Sequence, residues 1–172
     1  MGTAQAITNK RQFTGTVYIL HENRVLLIYH KKHQKWLPPG GHLEENELPH
    51  EGAIREAYEE TGLRVEIIEQ ENIHIDRPNA KSISRPFLCL LENIPEYCKN
   101  DRIEPAHQHI DFIFLARPTV EPLCLIENPH ETEGLRWFSR EEIEALQGDV
   151  DLFEDVKNTI LFILTQACAL RA

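Results

Sequence analysis

Apolar residues fall into short runs broken by Gly, Pro, Asn and charged side chains, and three longer stretches carry a helical period instead. Residues 15–20 and 24–30 are rich in β-branched and aromatic residues and flank His21-Glu22-Asn23, a pattern that predicts a hairpin with a polar turn. Segments 63–68, 87–91, 110–116 and 134–138 read as further strands. Between Trp36 and Gly41, two prolines and two glycines predict a shaped loop with no regular element. Residues 48–61 predict a helix: Pro49 suits its first turn, Ala53, Ile54, Ala57 and Tyr58 form its apolar face, and Gly62 suits the left-handed residue that ends it. Ser139 with Glu142 makes a capping box for a helix ending near Gly148. Residues 150–168 predict a last helix, where Phe153, Val156, Ile160, Leu161, Leu164 and Cys168 recur at helical spacing, a core-packing face whose second use is a homodimer contact.

The 172 residues fit one domain, 1–172, with no repeat or linker, and suffice for a well-buried core. A net charge of -10, from 28 acidic against 18 basic residues, argues against a protein that coats nucleic-acid duplex, because phosphate neutralisation needs clustered Lys and Arg. Cys89, Cys98, Cys124 and Cys168 form no C-x-x-C pair, which fits buried or free thiols in a reducing compartment. The first residues lack the apolar core of a signal peptide, and the longest apolar stretch, 159–170, is too short to span a bilayer, so the expectation is a cytoplasmic protein without a membrane anchor.

The chemistry concentrates at Arg55, Glu56, Glu59 and Glu60. Like charges three and four residues apart destabilise an isolated helix, so their clustering points to a cation to be held. On a helical wheel the three glutamates share a sector, with Tyr58 on the far side. Gly41, Glu47, Arg55, Glu56, Ala57, Glu59, Glu60, Gly62 and Leu63 fall on the pattern G-x5-E-x7-R-E-U-x-E-E-x-G-U, U being aliphatic, with Ala57 smaller than the usual choice. At average residue usage, such as Gly at about 7%, nine positions at fixed spacing arise by chance on the order of once in 10⁹ starting points. Residues 41–63 therefore resemble the Nudix hydrolase signature. A solvated Glu-rich helix accounts for the glutamates but not for Gly41, Glu47 and Gly62 at their spacings.

The resemblance implies an α+β fold, a Nudix-type α/β/α sandwich with a mixed β-sheet. It also implies an enzyme that hydrolyses the diphosphate bond of a nucleoside diphosphate linked to another group, with Mg²⁺ or Mn²⁺ as cofactor and a small-molecule nucleotide as partner. By the family pattern Glu56, Glu59 and Glu60 are metal ligands, with a backbone carbonyl of Gly40 or Gly41 added. Arg55 would orient a carboxylate, Glu47, through the forked bonds its guanidinium favours. Glu47, Arg55, Glu56 and Glu59 make up the catalytic set, and the general base is Glu56, Glu127, Glu131 or Glu133.

Beyond the signature, His107, His109 and Asp111 alternate and so share a strand face, as substrate contacts or as a polar strand end. Lys35, in the basic run from His30, suits either phosphate contact or a solvated turn, and the polar insertion 69–85 is a further candidate for substrate contact. Trp36 and Tyr58 read as packing residues rather than stacking platforms for a base. The alternatives are an ADP-ribose or nucleotide-sugar pyrophosphatase, on which Pro78 bears weakly, and a non-catalytic nucleotide-binding regulator of the same fold.

Overall fold

In the computed structural model the described residues are 10–69, 73–99, 102–120, 124–130 and 132–169. The predicted hairpin forms as β1 (Arg11–His21) and β2 (Arg24–His30), its turn made by Glu22 and Asn23 at φ 47° and 61°. β1 starts four residues earlier than its apolar run because its first part pairs in parallel with β11 (His107–Pro118), Arg11 opposite Gln108.

The Trp36–Gly41 loop is corrected: it holds two short strands, β3 (Lys35–Leu37) on β2 and β4 (Gly40–His42) on β1. Each needs only three backbone units, and Pro38 and Pro39, which have no N–H to give, fall between them. Helix α1 (Pro49–Thr61) follows, with Pro49 in its first turn, Glu51 reaching back to the Leu48 N–H at 3.1 Å and Gly62 ending it at φ 72°. After β5 (Val65–Ile67), the polar insertion contains a small hairpin, β6 (Asp76–Arg77) with β7 (Ala80–Lys81). β8 (Leu88–Ile94) pairs with β11, and β9 (Tyr97–Lys99) with β10 (Arg102–Glu104) makes a separate hairpin before it.

Among the described residues eight strands join one mixed sheet in the order β12-β2-β1-β11-β5, with β3, β4 and β8 attached to β2, β1 and β11; β12 spans Thr132–Phe138. α1 packs on one face over Val17, Ile19, Leu26, Phe114 and Ala116 through Ala53 and Ala57. α2 (Arg140–Ala145) and α3 (Glu154–Ala169) cover part of the other face, where Tyr18, Val25, Leu27, Ile113 and Phe138 meet Ile143, Ile160, Ile163 and Leu164. The layers are those of the α+β sandwich expected. The Ser139–Glu142 box forms in both directions, at 3.3 and 2.8 Å.

α3 begins at Glu154 and not at residue 150, because the carbonyls just before it have other partners. Lys35 Nζ binds those of Asp149 and Val150 at 2.7 and 2.9 Å, and the Trp36 N–H binds that of Asp151 at 2.8 Å.

Candidate active site

α1 is tied to the chain entering it through Arg55. The guanidinium forks onto Glu47, Nε to Oε1 at 2.9 Å and Nη2 to Oε2 at 3.0 Å, as the sequence led one to expect. Nη1 donates to both Glu56 Oε1 at 2.8 Å and Glu59 Oε2 at 3.1 Å, and Nη2 reaches the His42 carbonyl at 3.0 Å. One cation thus offsets the repulsion among the acidic side chains of the helix. Glu47 also accepts the Glu44 N–H at 2.9 Å, which closes the turn before α1. The Arg55 bonds hold the Glu47 carboxyl below the usual carboxylate range, and Glu47 in turn pushes the guanidinium up.

Glycine leaves room for these acids at two positions. A Cβ on Gly41 would lie 2.3 Å from Glu56 Oε1, so only glycine lets the carboxylate lie against the strand. A Cβ on Gly40 would meet Thr16 Oγ1 at 2.7 Å, and its N–H donates to Glu60 Oε2 at 2.9 Å. Glu60, grouped with Glu56 and Glu59 on the wheel, is buried: it is 3% exposed and folded under β4. Tyr58 moves the other way, 51% exposed beneath the Arg64 guanidinium, because the helix turns its small residues Gly52, Ala53 and Ala57 to the sheet.

A second polar group lies on the sheet face that α2 and α3 leave partly uncovered. Register aligns Thr14 with both Asp111 and His42, and Glu92 with His109. Asp111 is buried and accepts the hydroxyls of Thr14 at 2.9 Å and Thr16 at 3.1 Å; burial raises its carboxyl despite these bonds. Burial, reinforced by Asp111 and Asp155, raises Glu92 to about 7. The His109 ring contacts those of His42 and His107, with centroids 4.9 and 5.0 Å apart, and burial beside these rings and Lys32 lowers it to about 4. His107, His109 and Asp111 do share a face, alongside Thr14, Thr16, His42 and Glu92, which sequence reasoning missed. The alternation of Thr14 and Thr16 is visible in the chain, but their partners depend on strand register.

Other expected site residues lie elsewhere. Lys35 does not join the Arg55 network, since its ammonium binds the carbonyls before α3. Glu127 follows Ile126, whose N–H bonds the Thr61 carbonyl at 2.8 Å, so its segment docks on the C-terminal end of α1. Glu133 is exposed on β12, and Glu131 lies outside the described residues. Trp36 packs against Phe138 and Tyr29. Cys89, Cys98 and Cys124 are exposed free thiols, and the Cys168 side chain is outside the described residues.

A cleft of about 590 Å³ opens beside the network, lined by Gln12, Phe13, His42, Glu47, Tyr97 and Glu104. Its size suits a small organic ligand. Among the described residues no three His, Cys, Asp or Glu side chains stand close enough to chelate one metal ion, and the Arg55 guanidinium stands among the carboxylates. The donor chemistry nonetheless fits a hard divalent cation: two carboxylates already converge on one positively charged nitrogen, and Gly41 leaves room for the nearer of them.

Comparison with known proteins gives a consistent picture. A family profile described as NUDIX domain matches residues 10–156. A solved hydrolase of the NUDIX family from Clostridium perfringens is similar at 31% identity and TM-score 0.73, covering 92% of this chain and 99% of that one. A probable DHNTP pyrophosphohydrolase of Lactococcus lactis subsp. cremoris is 30% identical over 118 residues, 69% of this chain and 61% of the relative. A MutT-like protein of Streptomyces ambofaciens is 40% identical over 58 residues, 34% of this chain and 38% of the relative. The chain thus spans 38% and 61% of the length of these two curated relatives. Among the described residues no helix is long and apolar enough to cross a membrane.

Proposed function

Because the chain belongs to the NUDIX hydrolase family, we propose that it hydrolyses the diphosphate bond of a nucleoside diphosphate linked to another group, such as an NTP, a dNTP or a nucleotide derivative, using Mg²⁺ or Mn²⁺. The observation that carries this reading is the meeting of Glu56 and Glu59 on one Arg55 nitrogen beside Gly41, an oxygen-rich site formed around positive charge. In this reading Glu56, Glu59, Glu60 and the Gly41 carbonyl hold the metal, and the whole chain works as one domain.

When bound, a divalent ion neutralises phosphate oxygens and activates a water. The chain's own residues do the rest. Arg55 and Glu47 fix the carboxylates in place, a supporting arrangement common around metals. Glu60 holds the Gly40 N–H and so sets the path of β4 beneath the site. Proton removal from the attacking water falls to a carboxylate; of the described candidates Glu56, Glu127 and Glu133, only Glu56 stands inside the Arg55 network.

The relative named a pyrophosphohydrolase supports cleavage between phosphates. The non-catalytic alternative is disfavoured because every signature carboxylate is present. The test is a panel of nucleoside triphosphates, nucleotide sugars, dinucleoside polyphosphates and coenzyme A with Mg²⁺ or Mn²⁺. Release of phosphate or pyrophosphate from at least one member, abolished by EDTA and restored by metal, is expected. Inactivity across the panel with both metals leaves the binding module as the better reading.

A further inference from the structure

The cleft runs from Glu47 of the Arg55 network to a part of the molecule that the chemistry above does not use, the β9–β10 hairpin. Tyr97 and Glu104 are direct cross-strand partners there, so their side chains lie on the same side, and both line the cleft. The Lys32 ammonium sits 3.6 Å from the centre of the Tyr97 ring and occupies one of its faces. Phe13, on β1, also lines the cleft and is 52% exposed although aromatic, its ring backed by Phe112 with centroids 6.0 Å apart. Among the described residues, no hydrogen bond or ion pair engages the Glu104 carboxylate. Gln12 turns its Oε1 toward His42 Nε2 at 3.4 Å, which leaves its amide nitrogen as a donor in the same cleft.

These groups are complementary to one kind of ring. An ionised carboxylate offers only acceptors, and it is best matched by two N–H groups side by side. Adenine and cytosine present a donor next to an acceptor on the corresponding edge, and uracil a single donor between two acceptors, so each sets a lone pair against the carboxylate. A 2-amino-4-oxo ring, as in guanine, places its ring N–H and amino group together with a carbonyl alongside. Glu104 suits the first two, the Gln12 amide suits the carbonyl, and the exposed Phe13 face suits the ring plane.

We propose that this cleft receives the base of the substrate and that Glu104 is the specificity-determining residue, selecting a guanine-type base stacked on Phe13. The inference rests on the reading that the diphosphate lies at the Arg55 network, from which the cleft leads away.

The test is titration calorimetry of the whole chain with GMP, AMP, CMP and UMP, alongside kcat/KM for the four nucleoside triphosphates with Mg²⁺. GMP is expected to bind about 10-fold or more tightly than the others, in line with the value of a bidentate pair to a base edge. Glu104→Gln should weaken GMP about 10-fold and change AMP by less than about 2-fold, whereas Phe13→Ala should weaken all four alike. Circular dichroism and urea midpoints confirm that the variants are folded. Equal affinity for the four nucleotides in the wild type, or a GMP preference that survives Glu104→Gln, overturns the inference. Hydrolysis without base preference overturns it while leaving the diphosphatase reading intact; GMP-selective binding with no turnover of any triphosphate does the reverse.

Discussion

Arg55 gives the sharpest test of how the site is held. Replacing it with Ala removes the fork on Glu47, the bonds to Glu56 and Glu59 and the bond to the His42 carbonyl at one stroke. The Glu47 and Glu56 side chains are only 13% and 14% exposed, so two carboxylates with little water around them lose the guanidinium's charge. Breaking a buried pair by removing one partner costs roughly 3–5 kcal/mol, and these groups are only partly buried, so the lower end applies, about 3 kcal/mol. The individual contributions are not summed, because bonds sharing one side chain are not independent. At about 2–4 °C per kcal/mol for a chain of this size, Tm should fall by roughly 6–12 °C. Arg55→Lys keeps the charge but not the fork and should cost roughly 1–2 kcal/mol.

The pH dependence supplies a second reading of the same variants. Glu47 is held below its ordinary value by Arg55, so its contribution is present at neutral pH and is lost as pH falls through the carboxylate range. That acid-side loss should be smaller in Arg55→Ala than in the wild type. Urea unfolding at several pH values measures both effects. An Arg55→Ala protein within about 0.5 kcal/mol of wild type at neutral pH would show that the network does not hold the loop to the helix.

Three further outcomes are expected. Gly41→Ala puts a methyl where Glu56 Oε1 now lies, 2.3 Å from the added carbon, and should lower kcat about 100-fold by displacing the carboxylate; near-normal turnover would remove Glu56 from the reaction. Glu60→Gln keeps the shape and an acceptor for Gly40 and should leave the urea midpoint little changed while cutting kcat about 100- to 1,000-fold, so normal turnover would contradict the metal assignment. Glu92, raised from 4.5 to about 7, binds a proton more tightly folded than unfolded, so it costs stability as pH rises between those values. Glu92→Gln should flatten that decline by about 1 kcal/mol once solvent screening is allowed for, and parallel stability curves for the two proteins would refute the assignment.

The amino-acid sequence by itself determined the local elements and the identity of the acidic helix. The Glu22-Asn23 turn, the Ser139 box, Pro49 at the helix start and Gly62 at its end are decided within a few residues, where backbone preference and short-range hydrogen bonds dominate. The resemblance to the Nudix signature likewise made the ion pair of Glu47 and Arg55 legible in advance.

Tertiary structure decided the rest, because register, burial and competing partners link residues far apart in the chain. The wheel grouped Glu60 with Glu56 and Glu59, but the strand made by Gly40 to His42 folds over it and offers a backbone N–H. Lys35 reads as a phosphate ligand until the carbonyls before α3, more than a hundred residues away, claim its ammonium. Only the parallel pairing of β1 with β11 sets Thr14 and Thr16 on Asp111, and only the docking of the β9–β10 hairpin brings Glu104 to a cleft that begins at Glu47. A helical or strand period says which side a residue faces; what waits on that side is fixed when the sheet closes.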